Sequence, residues 1–333
     1  MIKEDKEEWI NLYTIADEAY EYAPWNYIKE TEFLAFIDDK EDIWYASILG
    51  NNKKFYGIIF INNNNINKYL EIYENNYSAI QAFNYQIGLM VSFVNKKDLK
   101  DDELHLLKEL GISFNDMAIK FQKFEKGYLP HLLNLEDVKK FSYILNNFMV
   151  IFKHLKNKKV LPPKKGEMLA RFYSSNDLNY HTANVDFYKP EEKYDIISMD
   201  SYDLDFSSCK KKDIDIEFDF INYLPVAIGT NYSSGKYKLN KYYAFADSTN
   251  NQLIKIDIVD DNSFENENEY NKAMVNKLIE FIKTNYIPRS IIVRDNYSYN
   301  LLKEFKDKAN ISVKIDKIRV IDVFIDSFMK GKK

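Results

Sequence analysis

A chain of 333 residues is too long for one comfortable hydrophobic core and suits two domains of the usual size, about 100–200 residues each. Apolar and aromatic residues make up 46% and charged residues 29%, which gives the chain enough apolar material to fold and excludes a disordered polypeptide. The formal net charge of −5, with neither half basic, lacks the electrostatic footprint of a sequence-independent nucleic-acid binder, so nucleic acid is not an expected partner.

The first predicted element is an amphipathic helix, with Trp9, Leu12, Tyr13, Ala16 and Ala19 at steps of three and four before Pro24-Trp25. Strands follow at Phe33 to Ile37, Ile43 to Leu49 and Phe55 to Ile61, the last two joined as a hairpin through Gly50-Asn51-Asn52. A helix around Ile66 to Glu74, a strand at Gln86 to Val94 and a helix at Asp102 to Leu110, ended by Gly111, come next. Asn134, with Asp137 three residues on, is placed to cap a long helix whose apolar face runs from Val138 to Leu155.

Asn157 to Gly166 contains Pro162-Pro163 between lysines, and tandem prolines end helices and favour extended chain. It is the predicted linker, dividing a domain over residues 1–160 from one over 161–333. The second half opens with strands at Met168 to Tyr173 and His181 to Tyr188 and a loop-rich stretch over Asp200 to Lys212. Strands at Ile214 to Phe220, Tyr242 to Ala246 and Leu253 to Val259 precede a helix over Tyr270 to Lys283. Strand Ser290 to Val293, helix Tyr297 to Lys306, strand Ile311 to Ile315 and helix Val320 to Met329 complete the chain. The expected fold class is α+β, two domains, each a mixed or antiparallel sheet with packed helices. The order three strands, helix, strand, helix, strand, helix from about residue 214 resembles a ribonuclease-H-like fold.

Trp9-x-x-Leu12-Tyr13-x-x-Ala16, Pro24-Trp25, Ile43 to Gly50 and Tyr56-Gly57 together resemble the first domain of a family of uncharacterised bacterial proteins. Leu224-Pro225, the paired strands after it and Ile287-Pro288-Arg289-Ser290-Ile291-Ile292-Val293 are similar to the second domain that often follows. Both are domains of unknown function, and the resemblance implies no activity, substrate or catalytic residue.

The chemistry-bearing residues are sparse. The histidines, His105, His131, His154 and His181, stand singly, so no metal site and no cofactor are expected. Cys209 cannot pair internally and has no recognisable base. No Gly-x-Gly-x-x-Gly, Walker-type loop or Gly-x-Ser-x-Gly occurs. Lys153, Lys156, Lys158, Lys159, Lys164 and Lys165 read as a solvated helix end. Cations are nearly all lysine, with arginine only at Arg171, Arg289, Arg294 and Arg319, a pattern that codon bias explains along with the abundance of Tyr and Asn.

A ribonuclease-H-like nuclease would need acids on an early strand, after the strand that follows the first helix, and on a late helix, because two metals stabilise the attacking and leaving oxygens. Asp219 or Asp247, Asp295, and Asp322 or Asp326 stand roughly there. Against that, Asp295 sits where a helix cap is expected, and the spacing of Ile321, Phe324, Ile325 and Phe328 predicts Asp322 and Asp326 facing water. A non-enzymatic cytoplasmic protein that binds a protein partner or forms a homo-oligomer is therefore the leading expectation. No secretory leader is seen in Met1 to Glu8, and no apolar run approaches the roughly 20 residues that span a membrane. The alternatives are a divergent metal-dependent nuclease, and a small-molecule sensor whose pocket would use Trp25, Trp44 and Tyr45.

Overall fold

A computed structural model describes residues 3–74, 82–191, 197–220, 232–233, 236–259 and 263–330. Leu224-Pro225 lies outside the described residues. In the first unit, α1 (Lys3–Tyr22) is followed by β1 (Leu34–Ile37), β2 (Ile43–Leu49), β3 (Tyr56–Asn62), α2 (Ile66–Glu74) and β4 (Gly88–Asn95). Then come α3 (Asp101–Leu110), β5 (Met117–Phe124), α4 (Leu135–Lys156), β6 (Glu167–Ser174) and β7 (Asn179–Asp186). The strands lie in the order β5-β4-β3-β2-β1-β6-β7, antiparallel throughout except for the parallel pair β1 and β6.

Alternation along these strands divides the side chains between two cores. Phe36, Ala46, Ile48, Ile58, Phe60, Val91 and Phe121 face α1 and α4, which contribute Trp9, Leu12, Phe141, Leu145, Phe148 and Phe152. Phe33, Ala35, Tyr45, Ile59, Ile61 and Met90 face the other way, with Ile66 and Tyr69 of α2. Helix α4 starts as the sequence implies, Asn134 accepting from the Asp137 N–H at 2.8 Å in a capping box. The β2–β3 hairpin forms at Gly50, and the Asn51 amide donates to the Trp25 and Ile28 carbonyls at 2.8 and 3.0 Å.

Three expectations change here. Strand β5 has no counterpart in the sequence reading, because Lys120 and Lys123 interrupt its apolar character at an edge of the sheet. The expected boundary at residue 160 falls inside the first unit, which runs through to Glu191. After α4 the chain turns through Pro162 and the buried Pro163 and returns as β6 to cover the open side of β1. The sensor triad is split: Trp25 and Trp44 pack with the α1/α4 core, while Tyr45 lies in the opposite core and donates to the Tyr188 carbonyl at 3.0 Å.

The second unit contains β8 (Asp215–Asp219), β9 (Lys241–Asp247), β10 (Gln252–Val259), α5 (Glu267–Thr284), β11 (Ser290–Val293), α6 (Asn296–Leu302), α7 (Phe305–Ala309), β12 (Ser312–Ile315) and α8 (Arg319–Lys330). The element order is the one expected, with the helix predicted at Tyr297 to Lys306 broken into α6 and α7. The sheet runs β10-β9-β8-β11-β12; β8, β9 and β10 are antiparallel neighbours, and β8, β11 and β12 are parallel. One face packs Ile216, Phe218, Phe245, Ile291 and Val293 against α5, α6 and α7. There Phe220, Phe218, Phe245 and Phe281 stack in succession at centroid separations of 4.7, 4.6 and 4.4 Å. The other face of the sheet carries α8.

Candidate functional site

The sequence of β8, Asp-Ile-Glu-Phe-Asp, sends Ile216 and Phe218 to the aromatic face and Glu217 and Asp219 to the α8 face. Both carboxylates are buried on the central strand, so each must find donors. Glu217 accepts from the backbone N–H groups of Arg319, Val320 and Ile321 at 2.9–3.1 Å. These are first-turn amides of α8 that have no partner within the helix, and the negative charge also meets the positive end of the helix dipole.

Asp219 accepts from the Tyr242 hydroxyl at 2.7 Å and from Arg294 Nη2 at 2.5 Å and Nε at 3.2 Å. Arg294 directly follows β11, the parallel neighbour of β8, so its guanidinium reaches across the carboxyl ends of the two strands. It continues to Asp322 on α8, donating through Nη2 at 2.7 Å and Nη1 at 3.1 Å. The Arg294 side chain is 5% exposed, Asp219 1% and Asp322 17%, so the ion triad is largely withdrawn from water. Burial opposes the charge on Arg294, but the adjacent Asp219 and the Asp322 hydrogen bond outweigh it and hold the guanidinium well above its ordinary value. Burial first, and then the Asp219 charge, push the Tyr242 hydroxyl well up, which keeps it a neutral donor.

Asp295 is the N-cap of α6, accepting from the Ser298 N–H at 2.8 Å. It is buried, and burial raises its carboxyl above the usual value despite the Ser298 bond. Nearby elements add further buried polar groups: Lys241, at the start of β9, lies 3.9 Å over the Tyr270 ring, and the Asn271 amide donates to the Tyr297 hydroxyl at 2.6 Å.

Of the candidate acids, Asp219 and Asp322 meet at Arg294, and Asp295 follows Arg294 directly at the same end of the sheet. Asp247 does not join them: it pairs with Ile216 at the far end of β8 and accepts from Asn250 at 2.9 and 2.8 Å to close the β9–β10 turn. Asp326 is one helical turn beyond Asp322, and its carboxylate is not among the groups that meet Arg294. The expected orientation of α8 is corrected. Ile321 and Ile325 are buried, but Phe324 and Phe328 are 39% and 38% exposed, and Asp322 points inward. A buried guanidinium on the sheet draws the helix carboxylate toward itself more strongly than two extra aromatic rings would repay leaving it unpaired.

Arg294 is the residue that sequence reasoning passed over. Its signal was present, since an arginine in a chain that otherwise uses lysine marks a place where a planar fork is needed. Arg289 obeys the same rule, gripping Asp215 at 3.0 and 2.8 Å, and so does Arg171, stacked 4.8 Å from the Tyr180 ring. Cys209 is half-buried with its thiol 3.9 Å from the Lys283 carbonyl, and the six central lysines are exposed. Among the described residues no three His, Cys, Asp or Glu side chains are arranged to hold a metal ion.

Fold and site thus define a two-unit α+β protein with a buried carboxylate–guanidinium cluster at the strand ends of its second sheet. Residues 9–171 match the family model of one domain of unknown function, DUF7309, and residues 206–329 match that of another, DUF6930. No curated protein and no solved structure matches the chain. No helix among the described residues is long and apolar enough to cross a membrane.

Proposed function

We propose that the chain is a non-catalytic cytoplasmic binding protein for a protein partner or a second copy of itself, and that its second unit is a ribonuclease-H-like scaffold without nuclease chemistry. The sheet order, read from β8 as 3-2-1-4-5 with the second strand reversed, supports the scaffold. The observation that carries the non-catalytic reading is Arg294. In a two-metal nuclease the acids on the first strand and last helix need to share cations with open positions for phosphate oxygens. Here one guanidinium bridges Asp219 and Asp322, donating to both and offsetting one of their two charges at the position a shared cation would take. Ile254, Ile258, Val323 and Phe324, exposed at 39%, 51%, 66% and 39%, are apolar groups of the kind a binding protein leaves uncovered.

A divergent metal-dependent nuclease is the second reading, favoured by the meeting of Asp219 and Asp322 with Asp295 beside them. Incubation with single- and double-stranded DNA and RNA in Mg2+ or Mn2+ separates the two. The binding reading expects intact substrates. Metal-dependent cleavage that Asp219→Asn and Asp295→Asn both abolish would replace it with the nuclease.

A further inference from the structure

Among the described residues the seven- and five-stranded sheets have four edges, and three of them carry devices that discourage pairing with another chain. Strand β5 has Lys120 and Lys123, and His131 pairs with Lys123 across its outer side. Strand β10 has Lys255, Asp257 and an irregularity opposite Phe245/Ala246. Strand β12 has only 4 residues and includes Lys314. Strand β7 differs: its 8 residues, Asn-Tyr-His-Thr-Ala-Asn-Val-Asp, contain no lysine or proline, and its register with β6 is regular from end to end.

The Phe187 N–H bonds inward to the Gly166 carbonyl at 2.8 Å, which fixes the phase of the ladder. Alternation then turns the backbone groups of Tyr180, Thr182, Asn184 and Asp186 outward. We infer that this edge is a self-association surface, on which β7 of a second copy adds antiparallel about a two-fold axis at Ala183. This deepens the binding reading above, and rests on it, by choosing the second copy as partner.

Three features of the edge point to a second copy. A strand pairing antiparallel with itself is self-complementary by symmetry, and centring on Ala183 puts Thr182 opposite Asn184 and Tyr180 opposite Asp186, so each outward N–H and C=O meets its counterpart. No like charges face each other in that register. Just beyond the strand ends, Leu178 in the β6–β7 turn and Tyr188 are 72% and 51% exposed, so the pairing brings uncovered apolar side chains together at both ends. A contact of this length is at the small end of protein interfaces, so the dimer is concentration-dependent.

Sedimentation velocity over a concentration series tests the inference on the full chain and on Ala183→Lys. Ala183 is exposed, so the lysine leaves the thermal midpoint unchanged while setting two like charges against each other on the axis. The expected result is a wild-type monomer–dimer equilibrium whose dissociation constant rises by about tenfold or more in Ala183→Lys. Ala183→Cys in a Cys209→Ser background gives a second readout, because facing residues of a non-hydrogen-bonded pair are close enough for a disulfide; oxidation is expected to trap the dimer. A wild type that stays monomeric overturns the inference and leaves a different protein as the partner. A wild-type dimer that Ala183→Lys does not weaken and Ala183→Cys does not trap also overturns it, while leaving self-association at another surface. Metal-dependent cleavage in the nuclease test would instead defeat the binding reading itself.

Discussion

Helix α4 in the first unit and helix α8 in the second both cross a sheet face, but they are held by different physics. Helix α4 puts Phe141, Ile144, Leu145, Phe148, Ile151 and Phe152 into an apolar interior with almost no exposure. Helix α8 brings Ile321 and Ile325 and is otherwise fastened by charge, Glu217 at its first turn and Arg294 on Asp322. Apolar packing is tolerant of shape and additive in area, whereas the polar fastening is all or none: each buried ion depends on the other. The face under α4 in the first unit therefore behaves as ordinary core, and the face under α8 in the second behaves as a site.

The largest effects are expected from breaking each attachment at its centre. Phe148→Ala and Asp219→Ala should each cost about 3–5 kcal/mol in denaturant unfolding, the first by leaving a cavity and the second by stranding Arg294 without its partner. A second substitution separates them. Asp219→Leu combined with Arg294→Met and Asp322→Leu should recover most or all of the loss, since apolar residues of similar volume commonly replace a buried ion network without penalty. If the triple variant unfolds as readily as Asp219→Ala, the cluster contributes more than the mutual pairing of its ions.

Glu217→Ala comes next, because it leaves the first-turn amides of α8 without an acceptor, at about 1–3 kcal/mol. Asn134→Ala, which removes the cap of α4, should cost about 1 kcal/mol. The smallest effects appear as pH dependence, with opposite signs at the two ends of the second sheet. Burial holds the Asp295 carboxyl above its unfolded value, so its contribution is full below an unfolded value of about 3.9 and is lost as pH rises through the folded value. Asp295→Asn keeps a capping oxygen and should gain on wild type in thermal melts as pH rises above about 4. Asp215 is held at about 2, by the Arg289 hydrogen bond first. Its contribution is present above an unfolded value of about 3.9 and disappears as pH falls through the folded value, so Asp215→Asn should flatten acid unfolding.

Much of the fold is legible from local pattern. The stripe of α1, the Asn134–Asp137 cap and the alternating β8 sequence each state their structure in neighbouring residues. What escapes is what distance in sequence hides. Strand β6 belongs to the first sheet because β1 needs a neighbour, a demand that Pro162-Pro163 does not reveal. The inward turn of Asp322 follows from Arg294, 28 residues earlier, and helical periodicity read alone assigns that face to Phe324 and Phe328 instead. Buried polar residues are set by partners, and partners are a property of the folded chain.

Titration with Mn2+, followed by electron paramagnetic resonance of the free ion, tests the role of Arg294 most directly. If the guanidinium has taken the place of a cation between Asp219 and Asp322, the wild-type protein leaves the free-ion signal unchanged at equimolar Mn2+, and Asp219→Asn behaves identically. Stoichiometric loss of the signal in wild type, abolished by Asp219→Asn, would contradict it.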